Sequence, residues 1–300
     1  QSEAEYGYFT DWTRARAAEL VDVLTQPEGK PVVIGFDINF IADRDPEGDA
    51  AFAKAAADHG NVVTASHAVF STTQEAQEET YETDRLHLKF MEYPYDALRR
   101  VSSHGYTNAM LDKDNYVRRS LLKVETGDEP EYHFAYEVYK NYMEQIGREP
   151  EEPETDENGM FGIRYIAPPE SYEEYPWKEV VDGKYDPRVF QDSIVLVGAY
   201  MPGLQDSFYV PIARGSQMYG VEAHANIVDS LLRGYSYKMA PQNIVTAVNL
   251  LLCMTFFLLL RKISPVVGIV VGALLAIGYL AVATWLYSEG WYIYPVAFVL

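Results

Sequence analysis

Two long apolar runs near the end of this 300-residue sequence constrain its fold more than any other feature. Residues 243–260 and 263–287 contain no charged side chain, and each is long enough to cross a hydrocarbon core about 30 Å thick. A third apolar run begins near Tyr292 and reaches Leu300. The expectation is a transmembrane α-helical segment over residues 241–300, two helices complete and a third cut short, in contact with the lipid bilayer. Arg261-Lys262 stands between the first two runs. Lysine and arginine favour the cytoplasmic side, so this turn is expected inside and residues 1–240 outside, in a multi-pass cell-membrane protein. Tyr235, Tyr237, Trp285, Tyr287, Trp291 and Tyr292 would then lie at the outer interface, where amphipathic rings are favoured.

The charge distribution draws the same boundary. Of 24 lysines and arginines and 44 acidic residues, only Arg261, Lys262 and Glu289 fall after residue 240. Residues 1–240 thus carry 22 basic and 43 acidic side chains, a net charge of −21. Such an acidic domain is not a nucleic-acid binder, because phosphates demand Lys and Arg. The single cysteine, Cys253, excludes an intrachain disulfide, and no Asn-x-Ser/Thr site occurs. Both features fit an exported bacterial domain better than a eukaryotic ectodomain. Gln1 is not a start methionine and residues 1–30 contain no signal peptide, so upstream sequence is expected.

Residues 1–238 read as an α/β domain. Pro31-Val32-Val33-Ile34-Gly35-Phe36-Asp37 suits a buried strand. The acidic turn 43–48, an Ala-rich helix over 49–59 stopped by Gly60 and a strand over 61–69 follow. This order predicts a parallel pair with a crossover helix. Residues 71–85 read as a polar loop. Residues 106–111 and 116–124 read as strands of a hairpin around Asp112-Lys113-Asp114-Asn115. Beyond it are expected a helix over 132–146, an exposed acidic loop over 149–157 and a strand over 161–167. A short helix over 177–181, a buried strand over 192–200 and a helix over 221–233 stopped by Gly234 complete the domain.

Candidate chemistry is sparse. Asp43-x-Asp45-x-Glu47-Gly48 opens like a calcium loop, but the twelfth position is Lys54 where a bidentate Glu is needed, so it reads as a solvated turn. Glu222 and His224 are two residues apart and do not share a helix face, which excludes a local metal pair. Asp37 ends a strand, where ligand sites of α/β sheets cluster; capping the next turn is its plainer use. A structural histidine is likewise the plainer use of His224. The segment Gly198-Ala199-Tyr200-Met201-Pro202-Gly203 lacks the spacing of a phosphate or dinucleotide loop. No motif calls for a catalytic residue, metal or cofactor. Gly268 and Gly272 form a small-xxx-small pair, suited either to homodimerisation or to packing within one chain.

Taken together, the segments resemble the second class of CHASE-type domain, the extracellular sensory domain associated with cyclases and histidine kinases. The resemblance is carried by Val33-Ile34-Gly35-Phe36-Asp37, Asn61-Val62-Val63, Gly105-Tyr106-Thr107-Asn108 and Asp112-Lys113-Asp114-Asn115-Tyr116-Val117-Arg118-Arg119. It continues in Ile194-Val195-Leu196-Val197-Gly198-Ala199, in Gly203-Leu204-Gln205-Asp206-Ser207-Phe208 with Pro211, and in Gly220-Val221-Glu222-Ala223-His224-Ala225-Asn226 leading to Leu231-Leu232-Arg233-Gly234. It covers roughly residues 5–238. The family's Asp-x-Asp-Gly turn reads Asp-Lys-Asp-Asn here, and Asn115 can take the left-handed conformation that glycine would.

The resemblance implies one helix before the domain, several after it, and a cytoplasmic effector, foremost a nucleotide cyclase, otherwise a histidine or Ser/Thr kinase. The expected function is a receptor for a small-molecule or protein stimulus, with Asp37, Asp206 and His224 as pocket candidates. Gly234, Pro241, Gly268 and Gly272 are the candidates for helix packing and signal transmission. An anchored extracytoplasmic enzyme is the alternative.

Overall fold

Apolar residues at helical spacing give the first helix, α1 (Ala15–Leu24), a buried face of Ala17, Leu20, Val21 and Leu24. The expectations above do not include it, although that spacing is readable in the sequence. The computed structural model describes residues 12–71, 88–112, 114–127, 129–200, 206–213, 215–239, 242–261 and 264–292. Strand β1 (Val33–Asn39) follows α1, then helix α2 (Pro46–His59), capped by Gly60 at φ 76°, and strand β2 (Val62–Phe70). Helix α2 starts at Pro46, inside the expected acidic turn, because proline is well suited to a first helical position. Strands β1 and β2 pair in parallel, as the strand–helix–strand order predicts.

Along β1, successive side chains face opposite layers. Ile34 and Phe36 enter one core with α1, α2 and Phe52. Val33 enters the other core, and Gly35 faces Phe134 and Val138 on the same side. Asp37, two residues on, points to that second side.

Strand β3 (Leu88–Glu92), the one-turn helix α3 (Asp96–Arg99) and strand β4 (Ser103–Tyr106) come next. Strand β3 is antiparallel to the end of β2, and β4 is parallel to its beginning. The expected hairpin over 106–124 is therefore wrong. Strand β4 joins the main sheet, whereas β5 (Arg119–Leu121) pairs antiparallel with β8 (Met160–Ile163) in a second sheet. The turn between them is closed by backbone bonds from Asp112 N to Tyr116 O and from Asn115 N to Asp112 O, and is braced by charge. Asp112 accepts from Arg118 Nη1 and Arg119 Nε at 3.0 Å each, and Asp114 pairs with both Arg118 Nη atoms. Asn115 takes φ 63°, the left-handed conformation expected of it.

Between β5 and β8 lie the short strands β6 (Lys123–Val124) and β7 (Glu131–Tyr132), then helix α4 (Phe134–Gln145). Gly105 of β4 lies under the start of α4. A β-carbon there would sit 2.7 Å from Phe134 Cα and 2.9 Å from Tyr132 O. Those are backbone atoms and cannot rotate away. Gly105→Ala is expected to cost about 1–3 kcal/mol, read as a lowered Tm of the folded chain. An unchanged Tm would mean that α4 can lift off the sheet freely.

The expected strand over 161–167 ends at Ile163, because buried Asn226 takes over the next amides: its Oδ1 accepts from Ile166 N at 2.9 Å and Ala167 N at 3.0 Å. Helix α5 (Trp177–Val181) matches its expected span. Strand β9 (Ile194–Gly198) pairs in parallel with β1 and closes the main sheet at the order β3-β2-β1-β9, with β4 beside β2. It is half-buried, not buried as expected, since it is an edge strand along an apolar groove.

A small hairpin, β10 (Ser207–Tyr209) and β11 (Gln217–Tyr219), leads into helix α6 (Gly220–Leu232). Helices α4 and α6 cover the face of the sheet opposite α1 and α2. Gly234 ends the α6 region at φ 65°, and β12 (Ser236–Met239) pairs with β8.

Two apolar helices follow, α7 (Gln242–Leu260) and α8 (Pro265–Ser288). Helix α8 is long and apolar enough to cross a membrane; in α7 the apolar stretch Asn243–Leu258 is shorter. The third run lies mostly outside the described residues, as do Pro241 and Lys262. Strand β13 (Trp291–Tyr292), after α8, pairs with β12, before α7, so the two helices begin and end at the same side of the domain. Tyr237 stacks on Tyr287 there, ring centroids 4.7 Å apart. Gly268 is buried, and Gly272 faces the Phe256 ring of α7.

Candidate functional site

The main sheet reverses its direction of growth at β1: β2 and β4 lie to one side, and β9 returns to the other. At such a reversal the loops leaving the strand ends diverge and leave a crevice beyond the carboxyl ends. A cavity of about 260 Å³ lies there. Asp37 and Asn39 from β1, Thr107 and Asn108 after β4 and Ala199 after β9 form one part of its wall. His224, Ala223 and Ile227 of α6, Asp206, His133, Tyr165 and Ser120 form much of the rest.

All three pocket candidates read from the sequence thus meet in one cavity. Asp37 Oδ1 lies 3.7 Å from His224 Nε2, and both side chains are under a tenth exposed. The motif segments that carry the family resemblance also pack on one another here. Gly198 lies under Val221, and Gly220 has no room for a β-carbon because the Asp206 carboxylate would lie 2.4 Å from it. Gly220 N also donates to Asp206 O at 3.1 Å. The neighbouring Glu222 is structural: its carboxylate accepts from Glu170 N at 2.6 Å and Tyr219 N at 3.3 Å. It points away from His224, as their spacing requires.

His133, Tyr165, Ser120, Thr107 and Asn39 were not among the candidates. They lie on five separate segments, and no local pattern links them. The one readable signal was His133, a histidine immediately before an amphipathic helix. There it caps α4, with Nδ1 accepting from Ala135 N at 3.3 Å, which leaves Nε2 as the protonated nitrogen of the neutral ring. Its ring lies 5.2 Å from that of His224. Asn108 exchanges two hydrogen bonds with Ala68 of β2 and so fixes the loop.

Burial governs the electrostatics. It pushes the Asp37 carboxyl up to about 7, with no ion partner close enough to offset the loss of water. Asp206 is raised by burial and then by the charge of Asp37, against a smaller opposing effect of His224. Burial lowers His224 to about 4 and holds His133 well below the usual range, so both imidazoles are neutral at pH 7. The lining contains two carboxyl groups, two neutral imidazoles, hydroxyls and amides, but no lysine or arginine among the described residues.

A family model for the CHASE2 domain matches residues 2–261. The chain belongs to the CHASE2 family. CHASE2 domains are sensor domains of signalling receptors. Neither a curated protein nor a solved structure matches the chain. In this CHASE2 chain the matched span takes in every residue of the cavity, helix α6 and the first apolar helix, α7.

Proposed function

We propose that this chain is the sensor and membrane region of a multi-pass bacterial receptor, with the CHASE2 domain outside the membrane and the cavity at Asp37, Asp206 and His224 as its input. One observation carries the reading. Helix α6 lines the cavity through Ala223, His224 and Ile227, and it is also the last helix before the apolar pair. A ligand that favours one placement of α6 shifts β12 and, through it, both β13 and the start of α7. Arg261, at the far end of α7, supports the outside placement of the domain. The output is a cytoplasmic effector, foremost a nucleotide cyclase, and signalling proceeds through a homodimer.

The test is disulfide cross-linking in membranes of a chain carrying Cys253→Ser and a single new cysteine at the exposed Leu250 or Leu274. Asp206→Asn and His224→Gln are expected to change the cross-linking yield several-fold relative to the otherwise unaltered chain. Identical yields in folded cavity variants would remove the reading. A cysteine at exposed Glu154 is expected to react with a membrane-impermeant reagent in intact cells. Protection of that cysteine would place the domain inside.

A further inference from the structure

The cavity contains more hydrogen-bonding capacity than the protein uses. Asp37 Oδ2, His224 Nδ1, Ser120 Oγ and Tyr165 Oη are all buried and find no hydrogen-bond partner among the described residues. Buried polar atoms are rarely left without partners, and four of them around one cavity mark a site with something to hold.

Their chemistry is one-sided. With its Nε2 facing Asp37 Oδ1, the neutral ring of His224 carries its proton there and offers Nδ1 as an acceptor. When ionised the Asp37 and Asp206 carboxylates only accept, so among these unpartnered atoms only the two hydroxyls can also donate. With no lysine or arginine in the wall, an anionic ligand would meet two acidic groups and no counter-charge. Ala109, Val117, Ile163, Phe208, Ala223 and Ile227 supply an apolar side. At about 260 Å³ the cavity lies just below the usual range of ligand pockets, which begins near roughly 300 Å³.

We propose, resting on the reading of this cavity as the receptor's input, that it binds a small organic ammonium, its nitrogen held by Asp37 and Asp206 and its short aliphatic body against the apolar side. The cation gives the buried Asp37 carboxylate and the half-buried Asp206 carboxylate a partner that the lining does not supply. The ligand stays charged well above neutral pH, whereas the Asp37 carboxyl gives up its proton near pH 7. Facing it are Asp206, His224 and Tyr165, with His133 behind His224. Only Asp37 and Asp206 gain charge as pH rises, since both imidazoles are already neutral. Affinity therefore strengthens about ten-fold from pH 6 to pH 8.

The experiment is calorimetric titration of the whole chain in lipid nanodiscs with n-butylamine, n-butanol and butyrate as probes. Saturable binding of butylamine is expected, at least about ten-fold tighter than butanol, with none for butyrate. Asp37→Asn and Asp206→Asn, each checked for an intact thermal transition, are expected to abolish the preference for the amine. Equal binding of amine and alcohol, tighter binding of butyrate, no saturable binding of any probe, or an amine preference surviving both substitutions would overturn the inference. Amine binding without any change in α7 or α8 cross-linking would leave the ligand class standing and remove the sensor reading. Cavity-dependent cross-linking without amine binding would do the reverse.

Discussion

Replacing Asp49 by alanine is expected to lower the stability of the domain by about 3–5 kcal/mol, because it strands a buried arginine. Arg14 Nη1 donates to Asp49 Oδ1 at 2.8 Å, and both side chains are under a tenth exposed. The other Asp49 oxygen accepts from Arg44 N at 2.9 Å and Asp45 N at 3.2 Å, which fixes the first turn of α2. Arg14 Nη2 donates to the carbonyls of Ile41 and Ala42, and the guanidinium lies over the Tyr95 ring at 4.3 Å. Tyr95 in turn donates to the backbone carbonyl of Asp49 at 2.7 Å. This one carboxylate ties the chain before α1 to α2 and to the loop leaving β1. For a domain of this size the loss corresponds to a fall in Tm of roughly 10 °C. Glu47→Ala, on the exposed side of the same turn, is the control and is expected to change stability by under about 0.5 kcal/mol. Thermal unfolding of both variants checks the claim, and an Asp49→Ala loss no larger than the control would refute it.

Asp37→Asn is expected to stabilise the domain above neutral pH and to do little in acid. The unfolded Asp37 ionises near 3.8, the folded one near 7. Between those values the folded state holds a proton that the unfolded state has released, so stability falls as pH rises through the window. The full difference corresponds to up to about 4 kcal/mol, and relief of roughly 2–4 kcal/mol is expected at pH 8. His224 acts in the opposite direction. Its folded value is near 4 and its unfolded value near 6.5, so it costs stability as pH falls below 6.5. His59 and His104, both lowered to about 4 chiefly by burial, add to the acid side. Wild type is thus expected to lose stability in both directions; Glu131, raised by burial to about 7, shares the alkaline limb with Asp37, so Asp37→Asn is expected to flatten that limb by the share of Asp37 and leave the rest. Tm values of the two proteins across pH 5–8 decide the matter; curves that run parallel would show that Asp37 is ionised in the fold. The same variant separates binding from folding in the amine titration, since it removes a ligand contact while making the domain more stable.

Much of the fold was legible because its signals are local. The apolar run of β1, the Ala-rich α2 with Gly60 behind it and the run of β2 each fit within about ten residues, and their order alone required a parallel pair. The hairpin over 106–124 failed because turn residues fix a reversal but not a partner. Gly105 and Tyr106 find theirs in β2, whereas Arg119–Leu121 find theirs in β8. Helix α1 is legible too, in the helical spacing of Ala17, Leu20, Val21 and Leu24.

The candidate site divides in the same way. Asp37 could be chosen because strand ends in parallel sheets face crevices, and Asp206 and His224 because they stand in the segments that carry the family resemblance. That these three share a cavity with His133, Ser120 and Tyr165 depends on how β1, α4, α6 and the second sheet pack, and no spacing along the chain encodes it.

By itself the sequence determined the acidic α/β domain, the apolar helices after it and the CHASE2 resemblance, since composition, periodicity and motif order are properties of the chain. The tertiary structure alone decided that Asp37 loses its water without gaining an ion partner, that Gly272 packs on Phe256 in the same chain, and that the helix bearing His224 lines one cavity with Asp37 and Asp206. Desolvation and contact between distant segments exist only once the layers have closed.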